Sequence, residues 1–414
     1  MKHLIITLFT ITMLATGCSS EIPEIQDPIM SQPQESTISI RKALSNADKL
    51  FALIEGNTRA TRVVKSIEPV GEKIQTRANE AQASKYYIVN YANDGGFAVI
   101  SADHELGTIY AIGERGNISL NDTLNNPGLA MFFNNLNAVN SITTTNSGFG
   151  PGDGRDTIAD EMVDIVDFIL PQIPEAVQSW PGGKYAFKDM YPSQTIAISQ
   201  IFTTFAWPNK WEVKEEGSYK TLYTETIDWN MLRDYRFPTN ISATSDAGGR
   251  EMKKLFDLVN ADFDFPWYEH GNPMKELFST REYEVDEYYN PPVVYVDGVG
   301  SPHEEPMISY ERDWKNMLKG GKLIIAFDSN RVDSWKWVVD GFIEYGDIKP
   351  NKIKDLATNL LFHCVWGKTK TLNGYFALIN HSIIASSGLC GVSDDVLAAM
   401  KNSPFIVCYG IKKR

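Results

Sequence analysis

Ser193-Gln194-Thr195-Ile196-Ala197-Ile198-Ser199-Gln200-Ile201-Phe202 is the stretch around which the rest of the chain is arranged. Apolar or small residues dominate it and continue to Phe205, which predicts a mostly buried helix in the core of a two-layer domain. Tyr191-Pro192 precedes it, and Ser193 is a good N-cap residue. A nucleophile here would lie where the helix dipole stabilises an anion. The function therefore depends on whether Ser193 is a nucleophile or only a cap.

Length and charge limit the classes of protein to consider. The 414 residues suffice for two domains, each with its own core, after a leader is removed. The 52 acidic and 39 basic residues give a net charge of −13. Nucleic acids and anionic membrane surfaces bind basic patches, so the charge argues against both as partners. His270, His303 and His381 have no metal-site spacing, and we expect no metal and no cofactor.

The N-terminus has the pattern of an export signal. A short basic start precedes an apolar run from Leu4 to Ala15, too short to span a bilayer. Leu14-Ala15-Thr16-Gly17-Cys18 resembles a bacterial lipobox, which makes residues 1–17 a lipoprotein signal peptide and Cys18 the lipidated residue. A simple secretory peptide with an incidental cysteine is the alternative. We expect an exported protein, lipid-anchored in the bacterial cell envelope at the outer membrane, on its periplasmic or surface side.

The spacing of the other cysteines does not indicate a pattern of disulfide bonds. Cys364, Cys390 and Cys408 are odd in number and contain no CxxC pair. We expect buried structural thiols, since free cysteine behaves as a small hydrophobe. A single disulfide remains open in an exported protein.

A small α+β domain is predicted for residues 39–140, after a Ser-, Pro-, Gln- and Glu-rich tether over residues 18–38. Residues 40–55 have helical apolar spacing. The candidate strands, hairpin turn and second helix are Val63-Val64, Ser66 to Val70, Tyr86 to Tyr91, Asn93-Asp94-Gly95-Gly96 as the turn, Phe97 to Ser101, Thr108 to Ile112, and Pro127 to Leu136. Residues 141–160 form a Gly- and Ser-rich linker before a second domain at 161–414.

The first domain resembles a known propeptide. The segments YYIVNYANDGGFAVISADHELGTIYAIGERGNISL at 86–120 and NNPGLAMFF at 125–133 are similar to the propeptide of streptopain-family cysteine peptidases. The same fold serves as the stand-alone Spi inhibitor of streptopain. In an active member of this family, the propeptide would be removed within the linker at 141–160.

The resemblance continues through the second domain. Similar segments are Val163 to Trp180, Ser193 to Phe205, Thr226 to Leu232, Arg250 to Leu258, Asn272 to Leu277, Trp314 to Phe327, Trp335 to Phe342, His363 to Gly367, and Asn373 to Phe376. The resemblance implies an α+β protein in which the propeptide-like domain is followed by a papain-like domain, with a helical layer against a twisted antiparallel sheet.

The family's catalytic motifs have changed in this chain. The helix motif Gly-Cys-Val-Ala-Thr-Ala-x-Ala-Gln-Ile aligns with residues 192–201 and puts Ser193 at the nucleophile position. The motif Gly-His-Ala-Trp-Val-x-Asp-Gly-Tyr aligns with residues 334–342 and puts Trp335 at the position of the base. The oxyanion glutamine falls at Gly182.

The third motif, His-x-Asn-Trp-Gly-Trp, has Val365 in place of the orienting asparagine, whereas Trp366 and Gly367 remain. Trp cannot accept a proton and Val cannot orient an imidazole. A serine hydroxyl without a base is a poor nucleophile. The resemblance therefore implies a peptidase homologue with no intact catalytic set.

Several residues could still have a role. His363 could approach Ser193, although a structural histidine at a strand end is the simpler interpretation. Asp340 is expected to bond backbone at the turn before Gly341. Ser193, Trp335, Trp337, His363 and Trp366 could line a ligand cleft, while core positions are the alternative for the tryptophans. The acidic run Arg281 to Tyr289 is expected to be a solvated loop or helix face, with binding of a cation or basic partner as the alternative.

Two hypotheses from different classes remain. The first is a lipid-anchored, non-catalytic peptidase homologue that binds a peptide or a protein, including an active streptopain-like peptidase. The second is a hydrolase with residual activity through Ser193 and His363. A simple structural surface protein is a third, less specific possibility.

Overall fold

The computed structural model of the protein describes residues 34–56, 62–75, 80–102, 109–124, 126, 128–134, 136–137, 165–180, 191–214, 220–236, 246–263, 273–288, 310–328, 336–345, 360–367, 372–377 and 406–414. The predicted signal peptide, Cys18 and the linker at 141–160 lie outside these ranges. Gly182, Trp335, Cys390, His270, His303 and His381 also lie outside them.

The N-terminal part contains one long helix and four strands. They are α1 (Gln34–Ile54), β1 (Val64–Gln75), β2 (Glu80–Tyr91), β3 (Phe97–Ser101) and β4 (Ile109–Gly113), followed by a 3-10 helix at Leu120–Leu124 and helical residues 128–134. Asn93 and Asp94 have φ values of 56° and 60°, as a tight hairpin turn between β2 and β3 requires. The predicted hairpin is confirmed.

The C-terminal part combines a helical layer with all the remaining strands of the described ranges. Its elements are β5 (Ile165–Ile169), α2 (Glu175–Gln178), α3 (Ser193–Phe205), β6 (Trp211–Lys214), β7 (Thr221–Glu225), α4 (Trp229–Asp234), α5 (Ala247–Phe263), α6 (Pro273–Ser279), β8 (Tyr283–Tyr288), α7 (Tyr310–Lys319), β9 (Leu323–Asp328), β10 (Lys336–Tyr345), β11 (Leu360–Val365), β12 (Gly374–Ala377) and β13 (Ile406–Lys413).

One antiparallel sheet runs through both parts of the chain. Its strand order is β1-β2-β3-β4-β12-β11-β10-β9-β13-β8, and β5 pairs separately with β10. The junction is the antiparallel pair β4 and β12, with Ile112 opposite Tyr375 and Ala111 opposite Phe376. β6 and β7 form a separate two-stranded ribbon.

Three hydrophobic cores cover the two faces of this sheet. The first lies between the helical layer and residues such as Val338 and Val365. The second occupies the opposite face, where Leu129 and Phe132 meet Phe362 and the strands beside it. The third joins α1 to the sheet near the junction of the two parts. Neighbouring residues of one strand enter different cores because side chains alternate between the faces.

The α+β class predicted from the sequence is confirmed, with several local differences. The first helix begins at Gln34, so the last residues of the predicted 18–38 tether are helical. The two short candidates at Val63-Val64 and Ser66 to Val70 fall within one region, where β1 begins at Val64. The acidic run forms strand β8 rather than a loop or a helix face. No helix in the described part of the chain has the length and apolarity needed to cross a membrane.

Candidate functional site

Ser193 lies at the first position of the central helix α3. Pro192, with φ −59° and ψ 151°, is the N-cap residue, and its carbonyl oxygen accepts bonds from Thr195 N and Ile196 N. The side chain of Ser193 makes no capping bond; its Oγ accepts a hydrogen bond of 2.9 Å from the backbone N of Lys336. The prediction that Ser193 is the N-cap is therefore wrong, because the extended conformation ends one residue earlier.

The contact with Lys336 places the start of β10 against the start of α3. A nucleophile at residue 193 and a base at residue 335 would need these two segments to lie side by side in this way. Trp335 itself lies outside the described residues, as does Gly182 at the predicted oxyanion position. The structure thus brings the first and second motifs together at Ser193 and Lys336.

Trp337, Val365 and Trp366 are core residues. Trp337 and Trp366 are each 2% exposed, Val365 is fully buried, and the two indole rings lie 5.3 Å apart between centroids. A Cβ atom on Gly128 would lie 2.2 Å from the Trp366 ring, so the backbone at 128 packs directly on that indole. Both indoles are covered from solvent, which favours the predicted alternative that these tryptophans occupy core positions.

His363 and Asp340 form a buried pair on neighbouring strands. His363 Nδ1 lies 2.6 Å from Asp340 Oδ1, while Asp340 Oδ2 accepts a bond of 2.8 Å from the backbone N of Ile173. His363 is 3% exposed and Asp340 is fully buried. Asp340 does bond backbone as predicted, but from within β10 rather than at a turn, and His363 lies inside β11 rather than at its end.

The sheet register separates His363 from Ser193. His363 is opposite Gly341, whereas Ser193 contacts Lys336, five positions earlier on β10. At about 3.4 Å per residue, five positions correspond to roughly 17 Å along the strand. His363 is also held by Asp340 and packs edge-on against Tyr375, with ring centroids 5.0 Å apart. The geometry does not support the predicted alternative of a Ser193–His363 catalytic pair.

The described cysteines are buried free thiols. Cys364 and Cys408 are both unpaired and covered, as predicted, and Cys390 lies outside the described residues. Burial raises the pKa of the Cys364 thiol well above its ordinary value and that of Cys408 to about 12. Because the thiolate is the nucleophilic form, this burial makes both thiols poor nucleophiles.

Residues of the described ranges line two surface cavities on the helical layer, away from the predicted site. The larger, of about 570 Å³, is lined by Ala206, Thr226, Ile227, Asp228, Trp229, Asn230, Glu251 and Lys254. The smaller, of about 310 Å³, is lined by Tyr223, Glu225, Arg250, Lys253, Lys254, Asp257 and Leu258. Neither is lined by Ser193. They could not be predicted from the sequence, because their walls combine residues of β7, the start of α4 and one face of α5 that are far apart along the chain.

Two of the three acidic residues of β8 form ion pairs with one lysine. Glu284 and Asp286 both pair with Lys322, at 2.7 Å for Glu284. The hydrogen bond from Lys322 holds the pKa of Glu284 below its ordinary value. Within the described ranges, no group of three or more His, Cys, Asp or Glu side chains has the arrangement of a metal site.

Comparisons with known proteins identify the N-terminal part. Residues 35–139 match the family of Spi protease inhibitors. No curated protein matches the chain. Among solved structures, the chain is similar to a mutant fragment of prointerpain A from Prevotella intermedia, with 13% sequence identity, a TM-score of 0.40, and coverage of 83% of this chain and 97% of that one. The predicted similarity of the N-terminal part to Spi protease inhibitors is confirmed.

Proposed function

We propose that this chain is an exported, lipid-anchored and non-catalytic homologue of streptopain-like cysteine peptidases, and that it acts by binding a peptide or a protein. The observation that carries the proposal is the environment of Ser193. Its hydroxyl lies at the first turn of α3, where the family has a cysteine, and accepts a bond from a backbone amide at the start of β10. The residue at the base position is Trp335.

The chemistry of these residue types supports the absence of turnover. Nucleophilic catalysis requires a base that removes the proton of the nucleophile and a third group that orients the base. An indole at 335 and an isopropyl group at 365 can do neither. Losing one member of such a set already removes most of the rate, so the three changes agree in direction.

The binding function has two candidate partner types, a peptide and a folded protein such as an active streptopain-like peptidase. The Spi-like domain suggests the second type, but its β4 edge is paired with β12 of the same chain. We therefore assign binding to the C-terminal part, where the cavity of about 570 Å³ beside Trp229 offers apolar and charged lining groups.

Binding without cleavage can be tested on the full-length protein. A tryptic digest of casein is incubated with the protein, the bound fraction is separated by gel filtration, and peptides are sequenced by mass spectrometry. We expect a reproducible set of intact tryptic peptides. An empty bound fraction would contradict the binding function, and peptides with new, non-tryptic ends would contradict the absence of catalysis.

A substitution in the larger cavity identifies the binding surface. Asn230→Trp introduces a bulky exposed side chain into its lining and should reduce the bound fraction at least fivefold. Asn209→Trp, at an exposed position that does not line either cavity, is the matched control. Equal binding by both variants would exclude this cavity as the peptide site.

A further inference from the structure

The junction between the two parts of the chain is a backbone pairing within one sheet. β4 and β12 are joined at Ile112–Tyr375 and Ala111–Phe376. A Cβ atom on Gly374 would lie 2.4 Å from the Ile112 carbonyl oxygen and 2.8 Å from Gly113 Cα. β4 and β12 therefore approach so closely that only glycine fits at 374, and the contact is made by backbone atoms.

The cores on both faces of this junction are shared. On one face, Phe132 of the N-terminal part packs edge-on against Phe376, with ring centroids 5.1 Å apart. On the other, α1 packs in one core with Ile343 and Leu361 of the C-terminal part. These residues are each at most 4% exposed, so separating the parts would expose large apolar surfaces on both.

Buried polar contacts also cross the junction. The hydroxyl of Tyr345 donates to Ile109 O at 3.2 Å and accepts from Ile109 N at 3.4 Å. Tyr345 is 1% exposed. If the two parts separated while each stayed folded, the Tyr345 hydroxyl and the backbone N and O of Ile109 would lose these hydrogen bonds. The ion pair of Arg115 with Glu175 lies at the surface and adds little.

From these contacts we propose that the Spi-like domain is a permanent structural part of this protein and not a removable propeptide. Cleavage in the linker leaves two fragments that stay together as one folded unit, and the β4 edge stays unavailable to a peptidase from another molecule. This inference rests on the junction alone and does not depend on whether the protein binds peptides.

The test uses the full chain with a recognition sequence for a site-specific protease inserted after residue 150. After complete cleavage, the mass of the native species is measured by gel filtration with light scattering. We expect both fragments to elute together at the mass of the intact chain and to unfold in a single thermal transition. Native fragments that elute separately, with the C-terminal fragment still folded, would overturn the proposal.

Two substitutions test whether the junction is responsible. Gly374→Ala should release the fragments after cleavage, because its Cβ would meet backbone of the other part. Gly341→Ala is the matched control, since its Cβ would lie 2.6 Å from Ile169 O within the C-terminal part, and it should not release them. Release by both variants to the same extent would overturn the role of the β4–β12 junction.

A milder variant covers the case in which Gly374→Ala does not fold. Tyr345→Phe keeps the ring and removes both bonds to Ile109, so the cleaved fragments should dissociate roughly tenfold faster than in the unsubstituted protein. Tyr283→Phe removes a bond of 2.9 Å to Trp207 O inside the C-terminal part and should leave the dissociation rate unchanged. Equal rates for Tyr345→Phe and the unsubstituted protein would contradict the proposal.

Discussion

Ser193 and His363 lie in separate environments, Ser193 against the start of β10 and His363 within β11. Ser193 is tied to the backbone of Lys336, at one end of β10. His363 is buried with Asp340 further along the same strand, where the carboxylate also accepts a bond from Ile173 N. Deeply buried polar side chains are compatible with a stable fold when their hydrogen bonds are satisfied. Here the His363–Asp340 pair joins β11 to β10, and Asp340 also holds the segment before α2.

Replacing Asp340 should therefore reduce stability rather than alter a surface property. In Asp340→Ala, His363 Nδ1 and Ile173 N lose their common partner, and we expect the free energy of unfolding to fall by about 3–5 kcal/mol. The measurement is urea denaturation followed by tryptophan fluorescence. Asp228→Ala, which removes the exposed N-cap of α4, is the control and should cost about 1 kcal/mol. Similar losses in the two variants would contradict a structural role for the buried pair.

At the residue scale, the sequence predicted which residue types occupy the catalytic positions but not their contacts. The N-cap was misassigned because Ser193 has a suitable side chain, whereas the position of the cap depends on the backbone of Pro192. The sequence does contain an indication that His363 and Asp340 are special, because each is a polar residue within an otherwise largely apolar strand. Their pairing could not be derived, because it depends on the register of β10 and β11.

Elements defined by local sequence were predicted well. The β2–β3 hairpin follows from Asn93 and Asp94, whose conformational preferences act within four residues. The role of the acidic run was missed, because the neighbour of β8 is β13, at the far end of the chain. In both cases the outcome depends on how far apart the interacting residues lie along the sequence: pairings between neighbouring segments can be predicted, and pairings between distant segments cannot.

The contact between β5 and α7 should make stability depend on acid pH. Lys319 and then Lys315 bond to Asp167 and hold the pKa of its carboxyl below the ordinary value of 3.8. A carboxyl with a lowered pKa stabilises the fold above its unfolded pKa, and this contribution is lost as the pH falls through the folded pKa.

Asp167→Asn should accordingly lower stability at pH 6 by at most about 1 kcal/mol, since the pair is partly exposed. The difference from the unsubstituted protein should shrink as the pH falls below the ordinary carboxyl pKa of 3.8 and towards the lower pKa of the folded state. Thermal unfolding across this range measures it, with Asp234→Asn, an exposed carboxyl on α4, as the control. A difference that grows on acidification would have the wrong sign for this contact.

At the scale of the whole molecule, two sequence regions form one continuous sheet. The predicted ranges of 39–140 and 161–414 describe how the motifs are distributed along the chain. The second and third hydrophobic cores, however, each contain residues from both ranges. The sequence could not predict the β4–β12 junction, because strand pairing across more than 250 residues has no local signal.

Attachment is predicted to depend on a single side chain. Cys18→Ser removes the thiol that the lipobox presents for acylation, and the protein should move from the membrane fraction to the soluble fraction of the producing bacterium. Fractionation with immunoblotting measures the distribution. Ser19→Ala, the neighbouring position, should stay in the membrane fraction. A Cys18→Ser protein that remains membrane-bound would contradict a lipid anchor at this residue.

The absence of catalysis is tested most directly by peptide turnover. The purified full-length protein and its Ser193→Ala variant are assayed side by side with casein and with a mixture of fluorogenic peptides, over pH 5 to 8. We predict no release of product above the buffer blank for either protein, because the nucleophile, base and orienting positions hold Ser193, Trp335 and Val365. Turnover by the unsubstituted protein that disappears in Ser193→Ala would contradict the account.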